Sequence, residues 1–235
     1  MQNKILVFNM KMYMDISDVK RYFKVVKDVP NNVIFCPESI YIPYFLEKYD
    51  NIAIQSIYPV DSGAYTGCVS ALQAAALGVK YAVVGHSECR KYFNVTDEDV
   101  NNKIKSALNN NLKVVMCIGE SKEEKQLNKT KDKLKEQLDI GLRDIKSNNI
   151  IIAYEPIYSI GTGITPDNKD IEDTILYIKE ILRSKNLDLK VIYGGSVSPK
   201  NIKALATIPS VDGFMIGKSS SKEEEVLEIF KQLDF

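Results

Sequence analysis

The 235-residue chain reads as an α/β protein, a single (β/α)8 barrel domain of eight parallel strands ringed by helices over residues 1–235. Three observations carry that reading. Eight short apolar runs recur along the chain, with longer amphipathic segments between them. The runs are apolar almost throughout rather than alternating, the habit of strands covered on both faces in a parallel sheet. No linker, low-complexity tract or Pro/Gly-rich boundary divides them, and eight βα units in this length match the size of a barrel. A doubly wound open sheet is the competing architecture. A terminal helix after the eighth strand favours the barrel, as does the lack of a Gly-rich dinucleotide fingerprint after the first.

The strand candidates are KILVFN (4–9), VIFC (33–36), IAIQS (52–56), YAVVG (81–85), KVVMCIG (113–119), IIIAYE (150–155), KVIYGG (190–195) and DGFMIG (212–217). Between them, residues 17–29 have helical spacing and stop at Pro30 and two asparagines. Residues 96–111 open on a Thr96–Asp99 capping pattern and close in asparagines. The charged segment 121–147 predicts one long helix with a solvated outer face. Residues 170–185 and 221–233 each predict an amphipathic helix.

Composition excludes several function classes. Lys plus Arg and Asp plus Glu both total 31, so the chain has no net charge, and a nucleic acid or an anionic membrane is not the expected partner. A small anionic ligand needs only a local positive field. Cys36, Cys68, Cys89 and Cys117 are scattered, with no CxxC pair, and His86 is the single histidine. That rules out a His-rich metal site and leaves no usual zinc spacing, so neither a metal nor a cofactor is expected. The pattern reads as reduced thiols in a cytoplasmic protein. The N-terminal apolar run is too short for a signal peptide, and no stretch approaches the ~20 apolar residues of a membrane helix.

In a barrel, ligands bind where the strands end at their C-termini. Asn9 and Lys11 follow the first run, His86 the fourth and Glu155 the sixth. Gly194, Gly195 and Ser196 follow the seventh, and Gly217, Lys218, Ser219 and Ser220 the eighth. Singly, each has an ordinary explanation: a solvated lysine, a turn glycine, a helix cap, a satisfied structural histidine. Jointly, an amine, an imidazole, a carboxylate and Gly/Ser turns would share one rim. Backbone N–H groups in such turns suit a phosphate. A carboxylate and an imidazole across the mouth suit proton transfer, and Lys11 could hold an anionic intermediate. The chemistry indicated is proton transfer on a small phosphorylated carbonyl compound.

The stretches FNMKMY, GAYTGCVSALQAAALGVKYAVVGHSECR, CIGE, AYEPIYSIGTG, YGGSV and DGFMIGKSS occur in order, and on them nearly the whole chain resembles the triosephosphate isomerase family. The resemblance implies interconversion of dihydroxyacetone phosphate and D-glyceraldehyde 3-phosphate through an enediolate, a step of glycolysis and gluconeogenesis. It implies Glu155 as base, His86 as the group that polarises the carbonyl and moves protons between oxygens, Lys11 as the charge stabiliser with Asn9 in support, and Glu88 behind Lys11. Asn9 and Lys11 would also contact substrate. Gly161, Ser196, Gly217 and Lys218 would give backbone N–H groups to the phosphate. Residues 156–166 would form a mobile lid with prolines at its ends. The loop around Gly63–Gly67 would insert into a second subunit, implying a homodimer.

The chain departs from the family pattern at several places. Tyr158 and Ile164 replace the usual Trp and Lys of the lid, Lys218 replaces the second glycine of the last phosphate turn, and Ser56 replaces an Asn. Cys68 and Cys89 stand where a Glu and an Arg meet across the subunit interface, which suggests an approach of Cys68 to Cys89 of a partner. Two other functions fit less well. A pentulose-phosphate epimerase builds a metal site from several histidines, and a barrel retained only as a scaffold has no need of an intact Asn9, Lys11, His86 and Glu155 set.

Overall fold

A computed structural model of the protein describes residues 4–160 and 166–234. Eight strands form one sheet: β1 (Ile5–Asn9), β2 (Val33–Cys36), β3 (Ala53–Ile54), β4 (Tyr81–Val84), β5 (Lys113–Ile118), β6 (Ile150–Tyr154), β7 (Lys190–Tyr193) and β8 (Gly213–Ile216). Every pairing is parallel, in the order β2-β1-β8-β7-β6-β5-β4-β3. A single parallel bridge between Phe35 and Ile52 joins the two ends and closes the barrel. The strands thus lie where the apolar runs stand in the sequence.

The reason for those continuous runs is visible in the packing. Val7, Ile34, Ala53, Val83, Val115, Ala153, Ile192 and Met215, one from each strand, form a small buried cluster with Cys36 and Cys117. Their alternate neighbours, such as Leu6, Phe8, Phe35, Val114, Met116 and Tyr193, belong to a much larger cluster shared with the helices. One set fills the lumen and the other packs outward, so neither face of a strand meets water. Phe8 illustrates the outer layer, its ring edge-on to Phe35 at 5.6 Å and stacked on Phe230 at 5.9 Å. Burying a side chain of this size contributes about 1.5–3 kcal/mol.

The helices are α1 (Ile16–Val25), α2 (Ile42–Leu46), α3 (Ala71–Leu77), α4 (Ser87–Phe93), α5 (Asp97–Asn109), α6 (Lys122–Gln126), α7 (Thr130–Gly141), α8 (Asn168–Ser184), α9 (Ile202–Leu205) and α10 (Glu223–Gln232). The Thr96–Asp99 pattern is a reciprocal capping box at the start of α5. In α8, Ile171, Ile175, Ile178, Ile181 and Leu182 recur at helical spacing and are buried against the sheet. Helix α1 ends at Val25, short of Pro30, because Val26 adopts an extended conformation and is buried.

The segment 121–147 is not one helix. It breaks between α6 and α7 at Asn128, whose φ of 56° is left-handed and cannot continue a right-handed helix. Asparagine is among the few residues that enter that region readily. A charged segment carries no apolar period strong enough to mark the break.

Candidate active site

The C-terminal ends of the strands open into one cavity of about 660 Å³. Asn9, Lys11, His86, Glu155, Ser196, Gly217 and Lys218 all line it. Gly161 and Ile164 lie outside the described residues, as do 161–165 of the segment expected to form the lid. Of that segment, Ile157–Ser159 form a short 3-10 turn with Ser159 buried, and the Ser196 hydroxyl donates to the Ser159 carbonyl at 2.5 Å.

Lys11 has the most constrained backbone of the group. Its φ of 53° is left-handed, a conformation that costs a non-glycine residue about 1–3 kcal/mol. Two neighbours hold it there. Its N–H donates to Asn9 Oδ1 at 3.2 Å, and its carbonyl accepts from Gln55 Nε2 at 2.8 Å. The ammonium then reaches across the mouth to Glu88 Oε1 at 2.7 Å. Gln55 is a site residue that sequence reasoning passed over, because its role is a bond to a backbone carbonyl and has no spacing signature.

His86 sits two residues beyond β4, at the N-cap of α4. Gly85 makes the turn possible with φ +76°, and an added Cβ there would lie 2.8 Å from Val100 Cγ2. The N–H of Glu88 donates to His86 Nδ1 at 3.2 Å. An accepting Nδ1 fixes the neutral tautomer with its proton on Nε2. Nε2 points to Glu155 Oε1, 3.5 Å away.

Glu155 follows β6 directly and is 3% exposed. Its Oε2 is buried with no hydrogen-bond partner among the described residues. Burial pushes the carboxyl above the ordinary carboxylate value, and the Lys11 ammonium only partly offsets this. Gly194 supplies the space: a Cβ there would stand 2.8 Å from Glu155 Cγ. Gly194→Ala is therefore expected to displace the carboxylate by several tenths of an ångström and to lower turnover about tenfold or more, read from kcat.

The remaining wall is polar backbone. Gly217 leads into a 3-10 turn, Lys218–Ser221. Lys218 is not among the residues with positive φ, so a side chain is tolerated where the family pattern has glycine. Asn201 Nδ2 donates to the Ser196 carbonyl at 2.7 Å and its Oδ1 accepts from the Ser198 N–H at 2.9 Å, which ties down the turn after β7. Tyr13, Lys200 and Asn201 also line the cavity and had no signal in the sequence beyond their nearness to strand ends. No group of three or more metal-ligating His, Cys, Asp or Glu side chains occurs among the described residues.

The four cysteines fall into two kinds. Cys36 and Cys117 are buried in the lumen, where burial pushes both thiols far up. Cys68 is exposed, Cys89 half-buried, and both line one further cavity of the same chain.

A buried carboxylate, an imidazole and an ammonium thus face one cavity. The family model for triosephosphate isomerase matches residues 4–233. A triosephosphate isomerase of Clostridium botulinum (strain ATCC 19397 / Type A) is 37% identical over 245 aligned residues, covering 97% of this chain and 99% of the relative. One from Thermodesulfovibrio yellowstonii is 34% identical over 246 residues, covering 98% of this chain and 100% of the relative. On fold, site and sequence together, the chain belongs to the triosephosphate isomerase family.

Proposed function

We propose that the protein interconverts dihydroxyacetone phosphate and D-glyceraldehyde 3-phosphate, as in glycolysis and gluconeogenesis. The observation that carries this reading is the desolvated Glu155 carboxylate facing His86 Nε2 at 3.5 Å in a cavity shared with Lys11. Glu155 takes a proton from the carbon beside the carbonyl, and a neutral His86 donates to the oxygen that becomes negative. The proton returns at the neighbouring carbon after His86 has moved a proton between the two oxygens. Composition and oxidation level are unchanged overall, so the reading assigns no cofactor and no metal.

Lys11, aimed by Asn9 and Gln55, stabilises the enediolate and the phosphate. Backbone N–H groups of Ser196, Gly217 and Lys218, with Gly161 beyond the described residues, hold the phosphate. A coupled assay on purified protein tests the reading. Strong isomerisation of glyceraldehyde 3-phosphate is expected; its absence would make the scaffold role the better account. Because Lys218 serves through its N–H, Lys218→Gly is expected to change kcat/KM by less than about threefold. A loss beyond tenfold would give the side chain a direct part, since charged hydrogen bonds are worth about 1.5–3 kcal/mol.

The raised carboxyl of Glu155 also sets a pH dependence. The base works only when deprotonated, so kcat/KM is expected to fall on the acid side with a midpoint above the ordinary value of 4.5. A midpoint at or below that value would separate the limb from Glu155.

The reading includes a homodimer formed through the loop around Gly63–Gly67. Supporting it, Met12 is 91% and Phe93 75% exposed, and Tyr65 at the loop tip is exposed with its ring against Tyr58 at 4.4 Å. Large apolar side chains left this exposed suit a protein contact. Sedimentation is expected to give twice the 26.5 kDa of one chain. A cytoplasmic location follows from the proposed reaction; no described helix is long and apolar enough to cross a membrane.

A further inference from the structure

The wall of the active-site cavity carries more positive charge than one triose phosphate uses. The ammonium groups of Lys11, Lys200 and Lys218 line it, against the single carboxyl group of Glu155. Lys11 is engaged by Glu88 Oε1 at 2.7 Å. Lys200 and Lys218 are exposed, and neither ammonium is ion-paired among the described residues. Glu225 lies within range of the Lys218 charge, but its carboxylate is already bonded to Lys222 at 2.6 Å.

The fold sets both lysines on one side of the mouth. β7 and β8 are neighbours in the sheet, so the loops that follow them stand side by side on the rim. Lys200 sits in the loop after β7, in the turn that Asn201 braces through the Ser198 N–H at 2.9 Å and the Ser196 carbonyl at 2.7 Å. Lys218 opens the 3-10 turn after β8, where the Ser220 N–H donates to the Gly217 carbonyl at 2.8 Å. The same turn lies against Lys11: an added Cβ on Gly217 would be 3.3 Å from Lys11 Cε. A phosphate on the backbone N–H groups of these turns therefore already has the Lys11 ammonium beside it. The Lys200 and Lys218 side chains are surplus to it. Like charges on adjacent loops at a cavity mouth concentrate a positive field there. The cavity, about 660 Å³, is in the range that holds drug-sized ligands, so it has room for a molecule longer than a triose.

We propose that the Lys200 and Lys218 ammonium groups form a second anion subsite, so that the cavity takes small linear bisphosphates, one phosphate on the backbone donors and the other on the two ammonium groups. Such a molecule occupies the place of the triose phosphate and inhibits in competition with it. A phosphate suits the pair because its outer oxygens accept from flexible point-charge donors without needing a fixed fork. The subsite rests on the reading of the turns after β7 and β8 as a phosphate cradle.

Calorimetric titration with alkanediol bisphosphates, from propane-1,3-diol to hexane-1,6-diol, each beside the monophosphate of the same diol, tests this. At low salt at least one bisphosphate is expected to bind about tenfold tighter than its monophosphate, the gain two exposed charge contacts give. The same bisphosphate raises KM for glyceraldehyde 3-phosphate and leaves kcat unchanged. Its advantage shrinks as salt is added. Lys200→Ala is expected to remove most of the advantage, while the monophosphate Kd and kcat/KM stay within about twofold. Lys218→Met is read by the ratio of the two Kd values alone, and that advantage is expected to fall as well. Equal affinity within every pair overturns the proposal, as does an advantage that survives both variants. Inhibition that is not competitive with the triose phosphate overturns it by placing the bisphosphate elsewhere. A Lys200→Ala variant that weakens monophosphate and bisphosphate alike overturns it by giving the lysine to the first phosphate. The Kd ratio needs no turnover: a protein that shows the bisphosphate advantage and does not isomerise counts against the proposed function alone, and one that binds neither ligand removes the cradle and the subsite with it.

Discussion

Glu155→Asp is expected to lower turnover about 10²-fold, because it withdraws the carboxylate by roughly 1 Å from a carbon it must reach directly. Glu155→Gln removes the base altogether, and the expected loss is about 10²–10⁴-fold in kcat. The same Gln variant is expected to be more stable at neutral pH. Burial raises the Glu155 pKa in the folded chain above its unfolded value, so the native state holds that proton more tightly. The stability this contributes is present in acid and is lost as pH rises through the ordinary carboxylate range to the folded value. Above that window the native protein carries a buried anion whose Oε2 has no hydrogen-bond partner among the described residues. Gln removes the charge, and a gain of about 1 kcal/mol would raise Tm by roughly 2–4 °C in a chain of this size. Thermal unfolding of both proteins at pH 7.5 and at pH 4 checks the sign: the difference should shrink in acid. Full turnover in either variant would take the base role away from Glu155.

His86→Gln is expected to lose roughly 10²–10⁴-fold in kcat. Glutamine can still donate an N–H toward the substrate oxygen, but it cannot carry a proton from one oxygen to the other. The two halves of the reaction should therefore separate. Exchange of the substrate's carbon-bound hydrogen with D2O depends mainly on Glu155 and should suffer less than net isomerisation. Equal losses in both would mean that the imidazole serves only to place Glu155, whose Oε1 it faces at 3.5 Å.

The sequence made the strands legible because both faces of each are covered. Val33 packs outward and Ile34 inward, and so do their counterparts around the barrel, which produces unbroken apolar runs. Helices with a buried face, such as α8, were legible for the same reason. The break at Asn128 was not, because a solvated face gives no period and a single left-handed residue gives only a weak cue. In the site, residues that act through their own side chains stood out at strand ends: Lys11, His86 and Glu155. Residues that act on backbone did not. Gln55 supports a carbonyl, and Asn201 braces a turn through Ser196 and Ser198. Their partners are distant in sequence or generic in type, so only the folded chain identifies them. The tolerance of Lys218 at a turn where glycine was expected belongs here too, since it rests on a backbone angle.

The barrel's closure has a dynamic meaning. Six strand pairs are held by ladders of two or more paired residues, whereas β7 and β8 pair at Tyr193 and Phe214 alone and β2 and β3 meet at the lone bridge between Phe35 and Ile52. Local opening has its lowest barrier where the fewest backbone bonds must break together. The staves therefore part first along these two seams, and amide exchange in native protein should be fastest there among the strands. Gln55 leaves β3 right beside the β2–β3 seam, so a part of the wall with few backbone bonds is also the part that props the catalytic ammonium.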